Sequence, residues 1–155
     1  MSLIPPSIAA GSLESWEYFA SYSDLRGWAL LDGVLTPADS TNSAWHYNTH
    51  ADAEHRSIQF DAWEYLASNV DLINWLGADG ITAQDAIMAA QHYILHGVNE
   101  GRTVTFDSAT YLAANADLIA WLGATNYDAA AKHYIEFGRC ENRPGTPAST
   151  VYLTS

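Results

Sequence analysis

The sequence predicts an all-α protein: three tandem units of about three short helices each, packed as a compact helical repeat domain. Three observations predict it. The segment His92-Tyr93-Ile94-Leu95-His96-Gly97-Val98-Asn99-Glu100-Gly101-Arg102 recurs in outline from His46 to Arg56 and from His133 to Arg143. A second segment recurs in step with it, so that Tyr18, Tyr65 and Tyr111 stand 47 and 46 residues apart, a period in the range of stacked helical arrays. Within each copy the apolar residues fall at helical spacing, and strand-like β-branched runs occur nowhere except at Thr103-Val104-Thr105.

Residues 1–12, with Pro5 and Pro6, read as an extended lead-in. The repeat domain spans 13–143 and divides into units 13–59, 60–105 and 106–143. Residues 144–155 have the composition of a linker, which suggests continuation into a longer protein. In the second unit Asp61 and Glu64 have the capping-box spacing, which predicts a short helix after Phe60. Trp63, Leu66 and Ala67, with Tyr65 beside them, give that helix one apolar face. Asn69 stops it and is placed to cap a second short helix carrying Leu72, Ile73, Trp75 and Leu76. Gly77 and Gly80 break the second helix, and Thr82 or Asp85 starts the longest one, which is expected to end at Gly97 as its C-terminal cap. Asp107, Asn115, Gly123 and Gly138 punctuate the third copy in the same way, whereas the first has Ala51 in place of the capping glycine.

At 155 residues the chain is long enough for one ordinary domain with a sizeable core. Eighteen acidic against six basic side chains leave a net charge of -12, which repels phosphate backbones and anionic membrane surfaces, so nucleic acid is not an expected partner. No apolar stretch is long enough to insert in a membrane, and the N-terminus lacks the basic start and apolar run of a secretory signal. Cys140 is the only cysteine, so no internal disulfide forms, and it reads as a small hydrophobe.

The pattern Phe-Asp-Ala-Xaa-Xaa-Tyr-Leu-Ala-Xaa-Asn-Xaa-Asp-Leu, followed by His-Tyr-Xaa-Xaa-Xaa-Gly-Xaa-Xaa-Glu-Gly-Arg, resembles a repeat of large bacterial secreted and cell-surface proteins. Such repeats often accompany hemolysin-type calcium-binding segments. The resemblance covers about Leu13 to Arg143 and is closest in the second and third units. It implies a non-catalytic helical module, secreted or at the cell surface, exported without a classical N-terminal signal. Its partners would be a cell-envelope glycan or protein, including further copies of itself, in adhesion, self-assembly or envelope attachment. The alternatives are an accessory domain of an enzyme acting on extracellular polymers and a histidine-dependent metal-binding module.

The candidate residues divide by recurrence. His46, His92 and His133, with Glu54, Glu100, Glu141, Arg56, Arg102 and Arg143, recur in every copy and read as structural joints between units, each arginine pairing with a carboxylate. His46 with His50, and His92 with His96, are spaced to share a helix face, the geometry of a metal pair, but the third copy places Phe137 where the second ligand would stand. No metal or cofactor is expected. Trp28, Trp75 and Trp121 match one another and read as repeating core. Trp45, whose counterparts are Gln91 and Lys132, reads as an exposed contact and joins His50 and His96 as a candidate binding residue. No serine elbow, phosphate loop or dinucleotide motif is present, and Gly138 should end the helix between His133 and Cys140, so no enzymatic activity is expected.

Overall fold

The computed structural model describes residues 7–30, 32–76 and 80–146, so Gly77, the first six residues of the lead-in and the tail from 147 onward lie outside the described residues. The chain is all-helical. Among the described residues there are nine α-helices: α1 (Leu13–Ser21), α2 (Ser23–Leu30), α3 (Pro37–His46), α4 (Ala62–Ser68), α5 (Val70–Leu76), α6 (Ala83–His92), α7 (Ser108–Ala113), α8 (Ala116–Leu122) and α9 (Tyr127–Glu136). None of the described residues is in a strand, and Thr103, Val104 and Thr105 form an irregular connection.

The helix starts follow local chemistry. Ser12 caps α1 by accepting from the Ser15 N–H, and Asp107 caps α7 by accepting from the Ala109 N–H. Thr82 and Asp85 close a full capping box on α6, and Thr36 with Asp39 does the same on α3 behind Pro37. Asn69 and Asn115 end α4 and α7 by turning their side-chain amides back onto the carbonyls of Tyr65 and Tyr111, each at 2.7 Å. Asn115 makes no side-chain cap to α8, contrary to the double role the sequence suggests for this position; its Oδ1, the atom a cap would use, accepts from Arg143 at 3.3 Å.

The long helices end differently from expectation. α3 and α6 run on into π turns, Tyr47–Ala51 and Tyr93–Gly97, in which the Val98 N–H reaches the Tyr93 carbonyl five residues back. Gly97 is buried inside this wide turn and is not the left-handed cap. The left-handed residue comes four positions later in every copy, at His55 (φ 57), Gly101 (φ 71) and Asn142 (φ 52). Ala51 therefore fits the first copy without strain. In the third copy α9 ends in a 3-10 turn, Gly138–Cys140, and a Cβ on Gly138 would fall on the Tyr111 hydroxyl. Cys140 is exposed on that turn rather than packed as a small hydrophobe.

The chain forms two compact units, and the second repeat is divided between them. The first unit comprises residues 1–62 and 82–102, and the second 63–81 and 103–155. In the first, α1 buries Trp16, Tyr18, Phe19 and Ala20. Helices α3 and α6 close on α1 through small residues, Ser40, Ser43 and Ala44 on one and Ala86, Ala89 and Ala90 on the other. The close approach is visible in the Ser15 and Ser40 hydroxyls, 2.6 Å apart, and in the bond from the Ser43 hydroxyl to the Ser15 carbonyl. Each fully buried aromatic in such a core contributes roughly 2–3 kcal/mol. In the second unit α7 packs on α8 and α9, with Ala130 and Ala131 as the small residues of α9 and the Lys132 ammonium 5.4 Å over the Trp63 ring. Helix α6 thus covers α1 in the first unit, and Lys132 of α9 lies over Trp63 of α4 in the second.

Candidate functional site

In each unit a side-chain relay runs through the closing motif. Tyr18 Oη lies 2.9 Å from His46 Nδ1, and His46 Nε2 lies 3.7 Å from the Glu54 carboxylate. Arg56 donates from Nε to Glu54 at 2.8 Å and, with both terminal nitrogens, to the two carboxylate oxygens of Asp24. The second unit repeats the set: Tyr111 Oη to His133 Nδ1 at 3.0 Å, His133 Nε2 to Glu141 at 3.6 Å, and Arg143 to Glu141 and Asp117 at 3.0 and 2.8 Å. In the motif closing the second repeat, Arg102 Nε donates to Glu100 at 3.2 Å, and His92 Nε2 stands 3.8 Å from the same carboxylate. The left-handed residue between each glutamate and arginine lets the two side chains turn toward each other.

The electrostatics of the relays are those of closed structural joints. Tyr18 and Tyr111 are fully buried, and burial pushes their hydroxyls up to about 12. Burial also lowers His46 and His133, keeping both rings neutral at pH 7, and the carboxylate beside each Nε2 favours the tautomer in which the tyrosine donates to Nδ1. Hydrogen bonds from Arg56 and Arg143 hold Asp24 and Asp117 below the usual carboxylate range. A tyrosine held protonated and shut from solvent is no nucleophile. His46 Nδ1 is bonded to Tyr18, and no group of three or more metal-ligating side chains occurs among the described residues. The tyrosines and aspartates of these relays were not among the candidates the sequence suggested. Their signal was present in the matched spacing of Tyr18 and Tyr111, and of Asp24 and Asp117, relative to the closing motif.

The exposed surface above the relays is aromatic. Trp28, Trp75 and Trp121 are 43, 60 and 69% exposed, which overturns their assignment to the core. Matched recurrence marked them as structural, but the rings of Trp28 and Trp121 pack edgewise against those of His46 and His133, at ring-centroid distances of 5.7 and 6.2 Å, with a large part of each in solvent. The position four residues after the relay histidine carries a ring in every copy. His50 lies 5.2 Å from His46, His96 lies 5.5 Å from His92, and Phe137, 54% exposed, lies 5.7 Å from His133. What the three copies share at this position is a ring beside the relay histidine. Trp45 is 57% exposed, with its ring 5.1 Å from that of His50. In the first unit Trp28, His46, His50 and Trp45 therefore form one chain of ring contacts.

Each of the six basic side chains makes a contact inside the protein. Arg56, Arg102 and Arg143 are paired with carboxylates, Arg26 and Arg139 bond backbone carbonyls, and Lys132 covers Trp63. A groove of about 230 Å³ in the first unit is lined by Trp16, Ile87, Gln84 and Gln91 with residues at the start of α3. It is smaller than ordinary small-molecule sites and holds no titratable side chain. No helix among the described residues is long and apolar enough to cross a membrane. Compared with known proteins, the chain matches no family model, no curated protein and no solved structure.

Proposed function

We propose that the chain is a non-catalytic interaction module of a bacterial secreted or cell-surface protein, binding a component of the cell envelope, glycan or protein, or further copies of itself. One observation carries it: the rings at positions 28, 75 and 121 are exposed, and those of Trp28 and Trp121 stand beside histidines whose Nδ1 atoms are bonded internally. Large apolar rings exposed to water are the usual anchors of recognition surfaces. The net charge of -12 disfavours an anionic partner. Export without a classical signal follows from the same resemblance to bacterial surface repeats. The test is retention of the full chain by isolated bacterial cell envelopes, together with sedimentation velocity for self-association. Retention or association that weakens when Trp28, Trp75 and Trp121 are replaced together by alanine supports the proposal. No retention and a strict monomer would remove both partner classes.

A further inference from the structure

Position 45 is an inter-repeat contact in the later copies and an open indole in the first. Its counterparts Gln91 and Lys132 sit against the tryptophan of the preceding repeat, Gln91 lining the same groove as Trp16 and Lys132 lying over Trp63. In the first copy the position that elsewhere receives an indole is itself an indole, 57% exposed. Its surroundings have changed with it. Where α6 and its π turn carry Ile87, Met88 and Leu95, the first copy has Thr41, Asn42 and Thr49, all exposed and three or four residues from Trp45 on the helix. Loss of those apolar neighbours leaves too little hydrophobic area for a protein interface, whose anchors are ringed by packed apolar contacts. What remains is a flat ring bordered by hydroxyls and an amide.

We infer that the exposed face of the first unit carrying Trp45, beside His50, binds an uncharged polysaccharide, the C–H face of a pyranose ring stacking on Trp45 and sugar hydroxyls bonding Thr41, Asn42 and Thr49. Charge selects within the sugars. The net charge of -12 disfavours uronates and phosphorylated polymers. The His50 ring, 5.1 Å from that of Trp45, offers an extended ligand a second ring to follow. This assignment rests on the interaction-module proposal and names its ligand.

The experiment is retention of the full chain on insoluble cellulose, chitin and starch as neutral polymers, beside polygalacturonate and chitosan as anionic and cationic ones. At least one neutral polymer should hold the chain best. Trp45→Ala should weaken that retention about tenfold, Trp45→Phe should recover part of it, and Tyr127→Ala, at an exposed ring of the other unit, should leave it within about twofold. Because Trp45 is exposed, an unchanged circular dichroism melt shows that the variant is folded. Stronger retention on either charged polymer, or a Trp45→Ala variant that binds like the parent, overturns the assignment. If no purified polymer is retained while envelopes still bind or the chain still self-associates, the sugar ligand is wrong and the interaction module stands. If all fail, both fall.

Discussion

At the scale of single residues, comparing the three copies turns each difference into an experiment. The residue before the closing arginine is left-handed in all three, and only the second copy has glycine there. A Cβ on Gly101 meets open space, so Gly101→Ala has only its backbone cost, and the expected loss is about 1 kcal/mol. His55→Gly relieves the same strain and should gain about 0.5 kcal/mol after the entropy of the freer unfolded chain. Opposite signs in urea denaturation check the pair. Ser108 carries a buried hydroxyl with no hydrogen-bond partner among the described residues, where the second copy has Ala62 and the first has Ser15 bonded to Ser40. Ser108→Ala should therefore stabilise by about 1 kcal/mol, read as a higher urea midpoint at unchanged slope. Recurrence in the sequence separated Trp45 and His50 from the structural histidines. It could not separate a ring that recurs because it is buried from one that recurs because it is presented, and that ambiguity put Trp28, Trp75 and Trp121 on the wrong side.

At the scale of elements, helix starts were legible and helix ends were not. Thr82 with Asp85 is a side-chain signal, whereas a π turn differs from an α turn only in which carbonyl the N–H chooses, and no residue type records that choice. Connections between repeats were equally silent, because they use common residues. Ser21 accepts from the N–H groups of Gln59 and Phe60, and Ser68 from those of Thr105 and Phe106. Glu17 reaches the Ala62 N–H, and Glu64, which the sequence pairs with Asp61 at a helix start, reaches the Ser108 N–H. The third copy has Ala114 and Thr110 at these two positions, and there the chain leaving the repeat approaches through Gly145, against Ala114, with the Pro144 carbonyl bonded by Asn115. The tail therefore begins as part of the second unit. Each serine satisfies two N–H groups at the entry to the next repeat, so Ser21→Ala and Ser68→Ala should each cost about 1–2 kcal/mol. Ala114→Ser should gain nothing, because no matching N–H pair is described beside it. Guanidinium denaturation of the three variants separates this latch from a general effect of serine.

At the scale of the whole molecule, the charge balance sets how stability responds to acid. The fold class was legible because period, caps and apolar spacing agree, but a chain that divides its second repeat between two compact units could not be read from spacing, which records what recurs and not what packs with what. The acid response depends on those packed pairs. Burial lowers His46 and His133 below the ordinary 6.5, so the unfolded chain takes up protons first as pH falls. The stability they contribute as neutral rings is complete above about pH 6.5 and declines below it, until the folded rings protonate. Asp24 and Asp117, lowered by their arginine hydrogen bonds, act in the same direction at more acid pH, losing their contribution as pH falls below about 4. Protonating surface carboxylates opposes this by relieving the repulsion of a chain at -12. The histidine contribution is isolated by the doubly substituted His46→Gln, His133→Gln chain. Thermal melts should show the parent midpoint falling between pH 7 and pH 5, and the double variant less stable at pH 7 but nearly flat over the same interval. A parent midpoint that does not fall in that window would mean that the two rings are not held neutral by burial, and the joints would then have to be charged pairs with Glu54 and Glu141.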